Sequence, residues 1–168
     1  MKGETKEEES FETVINLEVD AYIPSTYIRN EVQKLDMYKR VACIMSEEDV
    51  EDLSEELIDR YGDIPPVCDT LLQIALLKTM CHNVYISGLI RTKEEVRLNI
   101  YPQAKWKMDL LQSFLEQKKS CLKFVLEQAP YFVYQFPKKK KPMNPKAEAD
   151  WRIGLLKELL QDFVSLVE

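Results

Sequence analysis

In the stretch SEELIDRYGDIPP, Ser54 to Pro66, the charged residues Glu55, Glu56, Asp59 and Arg60 stand at helical spacing ahead of a glycine and two prolines. Such a set suits acid–base catalysis by paired carboxylates, a local ion pair, or contact with a cationic partner. With Glu56 at 0° on a wheel of 100° per residue, Arg60 falls at about +40°, Asp59 at about −60°, Asp52 at about −40° and Glu55 at about −100°. Leu53, Leu57 and Tyr61 fall between about +60° and +140° on the same wheel. The charges therefore share a face turned away from the apolar stripe. Catalytic carboxylates need a cleft that splits their pKa values, and periodicity places these in solvent. Glu56 and Arg60 form an i,i+4 pair in the favourable order, worth about 0.3–0.5 kcal/mol, so a solvated, self-paired face is one reading. The other is a partner surface. From Ser46 to Asp63 nine acidic residues face Arg60 alone, and crowded like charges destabilise a helix unless something basic answers them.

The rest of the chain offers little for other chemistry. No Gly-rich phosphate loop is present, and the four glycines (Gly3, Gly62, Gly88, Gly154) are far apart. There is no G-x-S-x-G or H-E-x-x-H, and His82 is the single histidine. Cys43, Cys68, Cys81 and Cys121 form no C-x-x-C pair; they read as small core residues of a reducing cytoplasm rather than as metal ligands. No catalytic, cofactor or metal site is expected. The N-terminal MKGETKEEES has no apolar signal core, and no apolar run approaches a membrane span. The net charge of −6 conceals a split, because residues 91–146 carry thirteen Lys and Arg against five Asp and Glu. Opposite charge in different stretches suits partners of opposite sign.

The elements that must position these residues follow from period and punctuation. Residues 14–23 alternate as a half-buried strand closed by Pro24. Ser25 or Thr26 then caps a helix of about twenty residues with Ile28, Val32, Leu35, Tyr38, Ala42 and Met45 as its stripe. Ser46, with Asp49 at N3, caps a second helix lined by Val50, Leu53, Leu57 and Tyr61 and ended by Gly62. Pro65 and Pro66 open a third, with Val67, Leu71, Ile74, Leu77 and Cys81 inward. A hairpin turns at Thr92–Glu95. Residues 105–119 read as a helix with Met108, Leu111, Phe114 and Leu115 inward. Two short strands flank Ala129-Pro130, and a terminal helix carries Trp151, Leu155, Leu159 and Phe163. Segregated helices and strands make an α+β fold: an N-terminal strand and helical platform, then a mixed or antiparallel sheet with flanking helices. The expected organisation is a flexible lead-in over residues 1–12 and a single domain over 13–168. Within it the helical part covers about 24–86, the strand-rich part about 87–137, a basic loop 138–146 and the last helix about 147–168.

In order along the chain stand YIPSTYI, KLDMYKRVA and ELIDRYGDIPPVCDTLLQIALLK. This set resembles the C-terminal (TRCF) domain of the bacterial transcription-repair coupling factor family (Mfd), over about residues 15–90. Tyr38-Lys39-Arg40-Val41-Ala42 and Glu56-Leu57-Ile58-Asp59-Arg60-Tyr61-Gly62 carry the likeness. It fades after Gly88. The resemblance implies a non-catalytic terminal piece of a multidomain ATP-driven DNA translocase whose motor domains, and DNA contacts, lie upstream. It also implies docking on the N-terminal UvrB-like module of the same polypeptide, which hides the UvrA-recruiting surface until RNA polymerase is engaged. The family's contact side maps onto Glu56, Asp59 and Arg60; Asp52 and Glu55 share the face without a family counterpart. Reversing the charge of Glu56 or Asp59 is then expected to open the contact without unfolding the domain, and salt to weaken it.

Two rival roles remain at this level. Lys138, Lys139, Lys140 and Lys141, near Lys118, Lys119, Lys123 and the aromatics Tyr131, Phe132, Tyr134 and Phe136, could bind nucleic acid if rings were free to stack. Alternation in YFVYQF instead buries half of those rings. A small-molecule or enzymatic role would need a polar cleft for which no convergent residues are evident.

Overall fold

The structure is a computed structural model describing residues 11–168. All but the last two residues of the expected lead-in therefore lie outside the described residues. The fold is α+β, with five α-helices and one five-stranded mixed sheet among the described residues. The chain divides into two compact units, one of residues Val19–Thr79 and Lys141–Gly154, the other of the described residues up to Glu18, Met80–Lys140 and Leu155–Glu168.

The chain enters the helical unit through an extended run that alternates in burial, Leu17 and Ile23 inside and Glu18, Asp20 and Tyr22 outside. Only Val14–Asn16 of the expected ten-residue strand pairs as a strand, β1. Glu18, at φ +56°, breaks the extended path. The first helix, α1 (Glu31–Val41), is shorter and later than its spacing predicts. Pro24–Ile28 is a turn whose Tyr27 and Ile28 N–H groups bond Pro24 O. The cap is Asn30, whose Oδ1 accepts from Gln33 N–H at 3.0 Å, and not Ser25 or Thr26. Met37 and Val41 mark the inward side, while Val32 and Leu35 are 70% and 57% exposed. Of the expected stripe, Ile28 is buried from the preceding turn rather than from the helix, Ala42 and Met45 are exposed, and Ile44, outside that stripe, is buried in the turn that follows.

Helix α2 (Glu47–Tyr61) begins and ends as its sequence dictates. Ser46 Oγ accepts from Asp49 N–H, and Asp49 Oδ2 accepts from Met45 N–H at 2.9 Å. At its end Gly62 takes φ +87°, a left-handed turn that favours glycine. Val50, Leu53 and Leu57 are buried. Tyr27 OH donates to Gly62 O at 2.8 Å and fastens that end to the preceding turn; burial first, then nearby Cys68, Asp63 and Tyr61, pushes its pKa up to about 12. Helix α3 (Pro66–Asn83) buries Cys68, Leu72, Leu76, Leu77 and Cys81. Val67, Leu71 and Ile74, expected inside, are only half-buried.

The sheet unit has strand order β1-β2-β3-β5-β4. β1 runs parallel to β2 (Ile86–Thr92), and the remaining pairs, with β3 (Glu95–Ile100), β4 (Leu122–Val125) and β5 (Tyr131–Gln135), are antiparallel. The hairpin turns at Lys93-Glu94 as expected, with Lys93 at φ +57°. Helix α4 (Met108–Gln117) buries Leu111 and Phe114, whereas Met108 is 64% exposed. Trp106, just before it, is the residue that turns inward and donates its Nε1–H to Val84 O. Helix α5 (Pro145–Phe163) brings Phe163 to ring contacts with Trp106, Phe114 and Phe132 at centroid distances of 5.0–5.9 Å. A 3-10 turn and a Trp106–Val167 bridge close the chain, so the last helix ends five residues before the C-terminus. No helix among the described residues is long and apolar enough to cross a membrane.

Candidate docking site

The charged face of α2 is held by the packing beneath it. Val50, Leu53 and Leu57 recur at three and four residues and fix the rotation of the helix. That rotation leaves Asp52, Glu55 and Asp59 exposed. These three, with Glu56 and Ile58, border one shallow groove on the outside of the helix. Ile58, 49% exposed, puts an apolar side chain among four carboxylates. It sits off the buried stripe by period alone, a signal the charge pattern overshadows.

Glu56 has a different situation from its neighbours. Arg40, in the last turn of α1, grips it with both guanidinium ends: Nη1 donates to Oε2, and Nη2 to Oε1 at 2.8 Å. Arg60 Nη1 adds a third hydrogen bond to Oε2 at 3.2 Å. Glu56 is thus the centre of a strap between two helices, half-buried rather than freely exposed. The Arg40 hydrogen bond, reinforced by Arg60, lowers its pKa to about 2. The same bond raises the pKa of Arg40. The helical wheel gave Glu56 only Arg60 as partner. Arg40 lies in the YKRVA segment, but its role depends on which helix packs beside α2, and no local pattern reports that.

Arg60 keeps an outward share. It is 44% exposed, with its guanidinium 5.0 Å from the Tyr61 ring centroid. Asp52, Glu55 and Asp59 make no ion pair among the described residues. What α2 presents is therefore three unanswered carboxylates, a half-engaged arginine and one apolar side chain. Such a surface has the charge to meet a basic patch. No three His, Cys, Asp or Glu side chains among the described residues are placed to hold a metal ion.

The lysines 138–141 lie exposed in the segment after β5. Beside them, Phe132, Tyr134 and Phe136 are buried, and Tyr131 lies under Arg97, whose guanidinium is 3.6 Å from the ring centroid.

A family model described as TRCF domain matches residues 17–111. The transcription-repair-coupling factor of Bacillus subtilis (strain 168) is 39% identical over 108 residues, which cover 64% of this chain and 9% of that protein. The protein of the same name from Staphylococcus haemolyticus (strain JCSC1435) is 33% identical over 106 residues, 62% of this chain and 9% of its own length. This chain thus spans about a tenth of the relatives it matches. Among solved structures, the crystal structure of the C-terminal domain of transcription-repair coupling factor superposes with a TM-score of 0.69 at 23% identity, covering 91% of this chain and 94% of that one. The shared fold thus extends well beyond the part where the sequence likeness is evident.

Proposed function

This chain belongs to the TRCF domain family, and from that premise we propose that it is a regulatory docking domain of a transcription-coupled repair translocase. In this reading α2 binds the N-terminal UvrB-like module of the same polypeptide. Docking masks the surface that recruits UvrA, until engagement of RNA polymerase releases it. The observation that carries the reading is the row Asp52, Glu55 and Asp59 around Ile58, charge left unanswered among the described residues. Asp59 and Arg60 are the contacts, and Glu56 acts as a positioning residue that ties α2 to α1 through Arg40. A tether supplies an effective concentration of about a millimolar, so a weak contact suffices to keep the latch closed. A competitor then needs only a few kcal/mol of differential binding to open it.

The test is binding of this chain to the separately expressed UvrB-like module by calorimetry at low and high salt. Asp59→Lys is expected to weaken binding by at least about tenfold, and salt to weaken the wild type. The chain should also compete with UvrA for the module. Equal affinity of Asp59→Lys and wild type at low salt would remove α2 from the contact.

A further inference from the structure

We propose that the open edge of β4, with the groove beside α4, is a second docking site, one that takes an extended acidic–apolar peptide segment as a sixth strand of the sheet. β4 is the last strand and pairs only with β5 among the described residues. The phase of that pairing is fixed by Gln135 N–H, which donates to Cys121 O at 2.7 Å. Antiparallel pairs alternate between bonded and non-bonded. Lys123 and Val125 therefore bond across to β5, and the N–H and C=O of Phe124 point away from the sheet. Leu122 N–H turns back to Lys118 O at 2.8 Å, leaving the Leu122 carbonyl outward as well. An edge of this kind is a template for another strand.

Side chains beside the edge define what kind of strand fits. Met108, Leu111 and Leu115 of α4 and Leu122 and Phe124 of β4 line a groove beside it, together with Lys119, Lys123 and Glu116. Alternate side chains of an added strand would reach into this groove, and those between them would lie beside Lys123. Lys138, Lys139 and Lys140 follow β5 three residues after Gln135, at the end of the sheet where β4 starts. Glu116 sits near Lys119, 3.5 Å away, and the surround remains basic. Charge therefore selects acidic residues at the intervening positions. A second copy of this chain is disfavoured, because it would bring lysines of two β4 strands together. Single-stranded nucleic acid lacks its stacking platform, since Phe132, Tyr134 and Phe136 are buried. Lysine on an edge strand also guards against indiscriminate pairing; here the guard and the selector are the same side chain.

The experiment uses the whole chain and a pool of fluorescein-labelled peptides of about ten residues, a length ample for a four-residue edge. The peptides alternate Val, Ile, Leu or Phe with Asp or Glu. Anisotropy measures binding, and amide exchange reports the Phe124 N–H. Members of the pool are expected to bind and to slow exchange at Phe124. Lys123→Glu should weaken binding at least about tenfold and Met108→Asp several-fold; both side chains are exposed, so folding tolerates the changes. Asp59→Lys should leave peptide binding unchanged, which separates this site from the face of α2. The proposal is overturned if no pool member binds at about 1 mM. It is equally overturned if lysine-for-acid peptides bind as well, or if backbone N-methylation at alternate positions costs nothing. Preferential capture of an oligothymidylate probe through Lys123, or self-association of the chain through β4, would replace it with another occupant.

Discussion

Helix α2 and strand β4 each face solvent, and they present opposite materials. The backbone of α2 is satisfied within the helix and at its ends, by Ser46 at one and Gly62 at the other. What it exposes is side-chain charge. Among the described residues the backbone of β4 pairs on one side with β5, and on the other only Leu122 N–H is bonded, so what it exposes is main-chain hydrogen-bonding capacity around Phe124 beside a groove lined in part by lysines. Contacts made by exposed charge act over about a Debye length and fade with salt. Contacts made by strand addition are short-ranged and lose only their steering component. The net charge of −6 reports neither surface, because it averages a negative face and a positive one.

Either surface is lost most completely when the support beneath it is removed. Phe132 is fully buried under the sheet, against Phe163, Trp106 and Phe124. Phe132→Ala should cost about 3–5 kcal/mol in urea unfolding, and Leu57→Ala, fully buried under α2, about 2–5 kcal/mol. A loss below about 1 kcal/mol at either position would mean that the surface above it is not held by that side chain.

Asp59→Lys alters the face of α2 without touching the core. Its expected cost, about 1.4 kcal/mol or more for a tenfold change, falls on docking to the UvrB-like module. The unfolding midpoint should stay within about 0.5 kcal/mol of the wild type. Raising salt should erase much of the difference at α2 and less of the peptide binding at β4. Ser46→Ala is the next step down. It removes the cap that accepts from Asp49 N–H and should cost about 1 kcal/mol. Docking should weaken only in proportion to helix fraying, so a tenfold loss of docking from this variant would show the capped turn itself to be the contact.

The same two regions show what was legible in the sequence. α2 could be read almost completely, because its cap, dipole charges, stripe and glycine stop are local features that agree. α1 could not. Its apolar residues at 28, 32, 35, 38, 42 and 45 step convincingly, yet Val32 lies half a turn from Val41, and only Met37 and Val41 face inward within the helix. The true cap, Asn30, was hidden by equally good capping residues at 25 and 26. At the site, Asp59 and Arg60 are placed outward as their period requires. The Arg40–Glu56 strap was not legible, since it joins residues sixteen apart through helix packing. The open edge of β4 was likewise invisible, because strand order is a property of the whole sheet. The likeness to TRCF domains was read from residues before Gly88, where helices leave periodic sequence marks, whereas the family model carries it on to residue 111. Beyond it the fold persists with few such marks.

The smallest effect separates positioning from contact at Glu56. Replacing it by Gln keeps the shape and removes the charge that Arg40 and Arg60 hold. As a half-exposed ion pair it should cost less than about 1 kcal/mol. Its pH dependence is more diagnostic than its size. The carboxyl has a folded pKa of about 2 against an ordinary 4.5, so the native state binds its proton less tightly than the unfolded chain does. The stabilisation is therefore complete above pH 4.5 and is lost as pH falls through 2. Unfolding of wild type and Glu56→Gln measured across that range should converge at the acid end and run parallel above it. A difference that stays constant down to pH 2 would mean the charge is not what the strap uses. If Glu56 positions and Asp59 contacts, Glu56→Gln should shift docking by no more than about threefold, while Asp59→Lys shifts it by about tenfold or more. Equal losses would place Glu56 in the contact itself, and the strap to Arg40 would then have to open each time the latch closes.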